Sequence, residues 1–198
     1  ATLFPYTTLF RSVTYPGIPN PVSGASSTPA GTIDRPVLTV TKGFTPGGPL
    51  SEGSITRLRI ALVNRSANPL SNVSVSDPLP TNGGTGQMRI ASPANAATSC
   101  GPGVITAVPG SSSITMNGAT VPARAANGAG ASGTCSVQVD VIAPAGTYAN
   151  TVTAGGTETL ANGTTRSVDP VSGNASITFT SAIGATKSFS PATVSSGG

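Results

Sequence analysis

Histidine and tryptophan are absent from this 198-residue chain, and only 8% of its residues carry charge. Aromatic residues make up 4%, and there are two cysteines. Each shortage closes a class of function. Without histidine there is no Ser-His-Asp triad, no usual base for a cysteine nucleophile, and no imidazole to complete a zinc site around two thiols. A Ser-Lys dyad would rest on Lys42 or Lys187 alone. The acidic residues are Asp34, Glu52, Asp77, Asp140, Glu158 and Asp169, and no two stand at a spacing that suggests a catalytic carboxylate pair. The chain is therefore expected to be no enzyme and to carry no cofactor. No apolar run approaches the ~18 residues of a membrane span, so no membrane insertion by this segment is expected. The formal net charge of +4 reflects few acids rather than a basic patch. Arg35, Arg57, Arg59, Arg65, Arg89, Arg124 and Arg166 are scattered, and among the aromatics only Tyr148 lies near a predicted central strand, which argues against nucleic acid as a partner.

What the chain does have is glycine (25), proline (18) and short runs of Val, Ile and Thr between turn residues. Strong helix formers are scarce, so the composition is all-β. Ile55 to Asn64 alternates most clearly, with Leu58, Ile60 and Leu62 on one face and Arg57, Arg59 and Ala61 on the other. Thr134 to Ile142 repeats the pattern, with Cys135, Val137, Val139 and Val141 inward and Ser136, Gln138 and Asp140 outward. Val37 to Lys42, Val73 to Ser76, Gln87 to Ala91, Val104 to Val108, Ser113 to Met116, Tyr148 to Ala154 and Ala175 to Thr180 supply further strands. Eight or nine short strands separated by turn signals predict an immunoglobulin-like antiparallel β-sandwich of two sheets. Alternation this regular also argues against disorder.

Three segments stand outside that module. Thr2 to Ser12 reads TLFPYTTLFRS, which resembles the in-frame translation of a common sequencing adapter, so residues 1–12 are set aside as an artefact. Internal repetition marks the rest. TKGFTP at Thr41 to Pro46 returns as TKSFSP at Thr186 to Pro191, and PVSGAS at Pro21 to Ser26 returns as PVSGNAS at Pro170 to Ser176, a period of about 145 residues. Residues 13–35 thus read as the tail of a preceding repeat or a linker, 36–182 as one complete module, and 183–198 as the start of the next.

Cys100 and Cys135 both fall inside that module. In a secreted protein two such cysteines read as a structural disulfide, and closing a loop of that length contributes roughly 4 kcal/mol.

Several stretches carry a family resemblance. LRIALVNRSANPLSNVSVSDPLP at Leu58 to Pro80, NAATSCGPG at Asn95 to Gly103, GTCSVQVDV at Gly133 to Val141, AGTYANTV at Ala145 to Val152 and the C-terminal TKSFSPATVSSGG resemble, in this order, the conserved repeat domains of large bacterial surface proteins, domains of unknown function. The resemblance implies immunoglobulin-type sandwiches in tandem outside the cell, with Cys100 paired to Cys135. It also implies that Asn64 and Asp77 cap turns at strand ends. The opening loop Gly47 to Leu50 departs from the Ala192 to Ser195 of the next copy.

The functional expectation is a stalk or spacer repeat of a secreted or cell-surface protein, its partners the neighbouring repeats. The alternative is an adhesive module that binds a glycan or protein ligand through loops bearing Arg89, Arg124 and Asn127. Asp34 and Asp169 are weak candidates for calcium. Lys42 with Asn174 is the pair nominated for a Lys-to-Asn cross-link, against the plainer reading of an exposed lysine at a strand end. The four Asn-x-Ser/Thr matches at Asn64, Asn72, Asn162 and Asn174 are expected by chance in such a composition.

Overall fold

A computed structural model describes residues 36–124 and 133–181. The segments 1–12, 13–35 and 183–198 therefore lie outside the described residues, as do Asp34, Asn127 and Lys187. Eleven strands and no helix make up the described part: β1 (Leu38–Thr45), β2 (Leu50–Ser51), β3 (Thr56–Asn64), β4 (Leu70–Pro78), β5 (Arg89–Ile90), β6 (Ala97–Thr98), β7 (Val104–Thr106), β8 (Ser113–Val121), β9 (Thr134–Ile142), β10 (Gly146–Thr159) and β11 (Thr165–Thr180).

They form two sheets. One runs β1-β3-β9-β5, with β6 also on β9; the other runs β2-β11-β10-β4-β8-β7. With the short strands removed, the orders β1-β3-β9 and β11-β10-β4-β8 match the A-B-E and G-F-C-C′ sheets of the immunoglobulin sandwich. All pairings are antiparallel except the two-residue contact of β2 with β11, which is parallel.

Alternation accounts for the core. Every second residue of β3 from Thr56 to Asn64 is buried, opposite the inward Cys135, Val137, Val139 and Val141 of β9. The facing sheet contributes Val73 and Val75 of β4, Ile114 and Met116 of β8, and Tyr148 and Val152 of β10. Tyr148 and Phe179 meet edge to face, centroids 6.0 Å apart, and this one pair supplies most of the aromatic packing of the core. A Cβ on Gly173 would stand 2.9 Å from the carbonyl oxygen of Val40, so β1 and β11 pack backbone to backbone there. Gly133 enters β9 with φ of 64°, and a side chain on it would overlap the carbonyl of Asn64.

Cys100 and Cys135 are joined, with Cα atoms 4.9 Å apart. The bond ties the segment between β6 and β7 to the inner face of β9.

Some strands outrun their sequence signal. β8 continues past Met116 to Val121, β10 past Ala154 to Thr159, and β11 begins at Thr165 rather than Ala175. In β11 only Val168, Ile177 and Phe179 are buried. Its other residues are mostly Ser, Thr and other polar or small side chains on half-wet faces, where ladder pairing with β10 decides the strand and hydrophobic alternation is faint. The two-residue β2 and β6 are too short for any period.

Candidate functional site

Polar side chains at inward parity are the unusual feature of this core. On β1 the inward positions are Leu38, Val40 and then Lys42; on β4 they are Val73, Val75 and then Asp77; on β10 they are Tyr148, Asn150 and Val152. Lys42 Nζ and Asp77 Oδ2 form an ion pair in which both side chains are fully buried. The ladder pairs Ser76 with Thr153, and one step further sets Asp77 across from Val152, so Asn150 is its diagonal neighbour on the same inner face. Three strands from two sheets thus bring an amine, a carboxyl and a carboxamide together.

This corrects two sequence readings. Asp77 does not cap a turn, and Lys42 is not an exposed strand-end lysine. Asn174, the partner nominated for Lys42, is exposed on β11, and Asn150 stands near the lysine's carboxylate instead. The signal was available as a polar residue at an apolar parity on each of three strands.

Burial governs the electrostatics. It pushes the Lys42 amine down to about 8, against the opposing pull of Asp77. It pushes the Asp77 carboxyl up, against Lys42 and, more weakly, the Asn150 amide. Both shifts favour the neutral forms. Asn150 is near enough to influence Asp77, yet neither its Nδ2 nor its Oδ1 makes a hydrogen bond of good geometry, and Asp77 Oδ1 is likewise unpartnered. Asn150 is only 1% exposed. A buried carboxamide with both ends unsatisfied costs free energy and calls for a reason.

Two other polar clusters are fully satisfied. Asp140 does point outward from β9, as alternation requires, but it is covered. Arg57 Nε and Nη2 donate to it at 2.8 and 3.1 Å, and Asn95 Nδ2 at 2.7 Å. The Arg57 hydrogen bond holds its carboxyl below the usual range. Glu158 accepts from Ser66 Oγ, from Asn68 Nδ2 at 3.0 Å and from Arg166 Nε at 2.5 Å. Burial alone would raise the Glu158 carboxyl, but these donors outweigh it and the net shift is downward. Asn64 does cap a turn: its Oδ1 accepts from the Ser66 amide at 2.9 Å, and its Nδ2 donates to the carbonyls of Asn68 and Pro122 at 2.8 and 2.9 Å.

The loop residues nominated for adhesion do not converge. Arg89 sits on β5 against Ile142, where it lines an open cleft of about 410 Å³ with Glu52, Gln87 and Pro144, and its Nη1 donates to Gly110 O at 2.8 Å. Arg124 is bonded through its amide to Ser66 O, beside the start of β9. The two arginines therefore lie at opposite ends of a nine-residue strand, roughly 25 Å apart. Asp169, nominated for calcium, is exposed within β11. Among the described residues no three His, Cys, Asp or Glu side chains cluster as metal ligands would.

Comparison with known proteins gives the following. Among solved structures, the bacterial hydrophobin BslA is 14% identical with a TM-score of 0.41, covering 73% of this chain and 96% of that one. The pilus backbone RrgB from Streptococcus pneumoniae is 13% identical with a TM-score of 0.34, covering 65% of this chain and 34% of that one. A family 123 glycoside hydrolase from Clostridium perfringens is 14% identical with a TM-score of 0.33, covering 70% and 27%. No curated protein matches the sequence. A family model described as Domain of unknown function (DUF7933) matches residues 38–173.

Proposed function

The chain belongs to the DUF7933 family of domains of unknown function, and from that premise we propose that residues 36–182 form one spacer module in a tandem array of a secreted or cell-surface bacterial protein. One observation carries the reading. The chain enters the sandwich at Val37, whose carbonyl accepts from Arg65 at the end of β3, and leaves it at Thr180, whose carbonyl accepts from Glu52 beside Ala143. Entry and exit thus lie just beyond opposite ends of β3 and β9, about 30 Å apart. A module with that polarity adds length with each copy, and the recurrence of TKGFTP as TKSFSP supplies the repetition.

The surface supports a spacer over an adhesin. The exposed large apolar side chains among the described residues are Ile55, Val104 and Val108, and no aromatic is among them, whereas contiguous exposed apolar or aromatic patches mark interaction faces. The disulfide belongs to an oxidising compartment. In this reading the partners are neighbouring copies, and the module performs no catalysis.

The test is X-ray scattering from proteins built of one, two and three copies of residues 36–182. The maximum dimension is expected to grow by a constant increment of 30 Å or slightly more per copy, on the order of one strand length. Growth with the cube root of mass would mean that copies pack into a globule, and the spacer reading would be wrong.

A further inference from the structure

We propose that Lys42 Nζ condenses with Asn150 Cγ, releasing ammonia and leaving an intramolecular amide bond that ties β1 to β10 across the sandwich, with Asp77 carrying the protons. A lysine and an aspartate, fully buried as an ion pair, beside an asparagine 1% exposed whose amide satisfies neither its donor nor its acceptor, make a costly arrangement for a core. The same arrangement is what amide formation requires: a nucleophile, a proton carrier and an electrophilic carbonyl, held by three rigid strands and kept from water. Leu38, Val40, Val75, Tyr148 and Val152, at the inward positions nearby on the same strands, are apolar and buried.

The step balances without any further reagent. In the ion pair a proton passes from the Lys42 ammonium to the Asp77 carboxylate, which gives a free amine and a carboxylic acid. The downward shift of the amine and the upward shift of the carboxyl both favour this transfer. The amine lone pair attacks Asn150 Cγ, and the new charge on Oδ1 is met by the Asp77 O–H. Asp77 then takes a proton from the attacking nitrogen and delivers one to Nδ2. The bond from Cγ to Nδ2 breaks and ammonia leaves. Asp77 remains as the neutral acid, the form that burial favours, able to donate a hydrogen bond to the new amide oxygen. No group changes oxidation state.

The experiment is intact mass spectrometry of the full chain, reduced and denatured, followed by protease mapping. The expected mass is about 17 Da below that of the reduced sequence, the mass of one ammonia, with a branched peptide joining the Lys42 and Asn150 segments. Lys42→Arg, Asn150→Ala and Asp77→Asn are each expected to restore the full mass. If these variants misfold, the branched peptide of the unaltered chain still decides. A cooperatively folded chain at full sequence mass would overturn the proposal. So would an ammonia loss that maps to a succinimide at any asparagine, or a water loss that maps to Lys42 with Asp77.

Discussion

At the scale of single residues, the three buried carboxylates behave in two ways because their surroundings differ. Asp140 and Glu158 are each met by an arginine and by neutral donors, so their folded-state values lie below the ordinary carboxyl range. Asp77 has one charged partner in a dry site, and its value rises. The consequences for stability have opposite sign. Above the ordinary carboxyl range Asp140 and Glu158 are ionised both folded and unfolded, and their stabilisation is fully present. As pH falls, the unfolded chain takes up protons first and binds more than the native state, so that stabilisation is lost. Asp77 binds its proton first in the native state and opposes the loss. The urea midpoint is therefore expected to drop between pH 7 and pH 3, and the double variant Asp140→Asn with Glu158→Gln to drop less over the same range. An equal drop in both proteins would show that these two groups do not govern acid sensitivity.

At the scale of elements, β3 and β9 form the centre of one sheet and β10 and β4 the centre of the other, but the connection from β5 to β8 has little regular structure of its own. It is held by three kinds of contact. Asn95 bonds to Asp140, the Ala91 amide donates to the carbonyl of the same residue at 2.9 Å, and Cys100 is bonded to Cys135. The two cysteines are 35 residues apart, so the bond restricts a long loop in the unfolded chain. Replacing both, Cys100→Ala with Cys135→Ala, is expected to lower the unfolding free energy by roughly 2–4 kcal/mol. Hydrogen exchange should place the loss unevenly, with amides from 91 to 112 opening before those of β3. Uniform loss of protection across both sheets would mean that the loop and the sandwich unfold as one unit.

At the scale of the whole molecule, the entry and exit points set how load would pass through an array. In the proposed array tension would arrive at Val37 and depart at Thr180, pulling β1 and β11 past each other where Gly173 meets Val40. An amide between Lys42 and Asn150 would carry that load directly from β1 to β10 and leave the intervening chain closed. In single-molecule extension of a tandem protein with the Cys100–Cys135 bond reduced, each module is then expected to release a contour length shorter by roughly 350–400 Å, the span of residues 43–149 at about 3.5 Å each. Lys42→Arg restores that length. Release of the full module length by the unaltered protein would show that no covalent tie bears the load.

Much of this architecture was legible one strand at a time. A period of two needs only neighbouring residues, so Leu58, Ile60 and Leu62 in β3 and Val137, Val139 and Val141 in β9 declared their inward faces without reference to anything distant. The missing histidine, the pair of cysteines and the recurring TKGFTP likewise belong to the sequence alone. Which inward residues meet does not. Lys42, Asp77 and Asn150 are far apart in the chain, with Lys42 in one sheet and the other two in its partner, and their encounter depends on the β4–β10 register and on how the two sheets stack. The same non-local packing turned Asp77 from a turn cap into half of a buried ion pair and moved lysine's prospective partner from Asn174 to Asn150. It also separated Arg89 from Arg124. Alternation is a local property of an extended backbone, while contact between sheets is settled only when the whole sandwich closes.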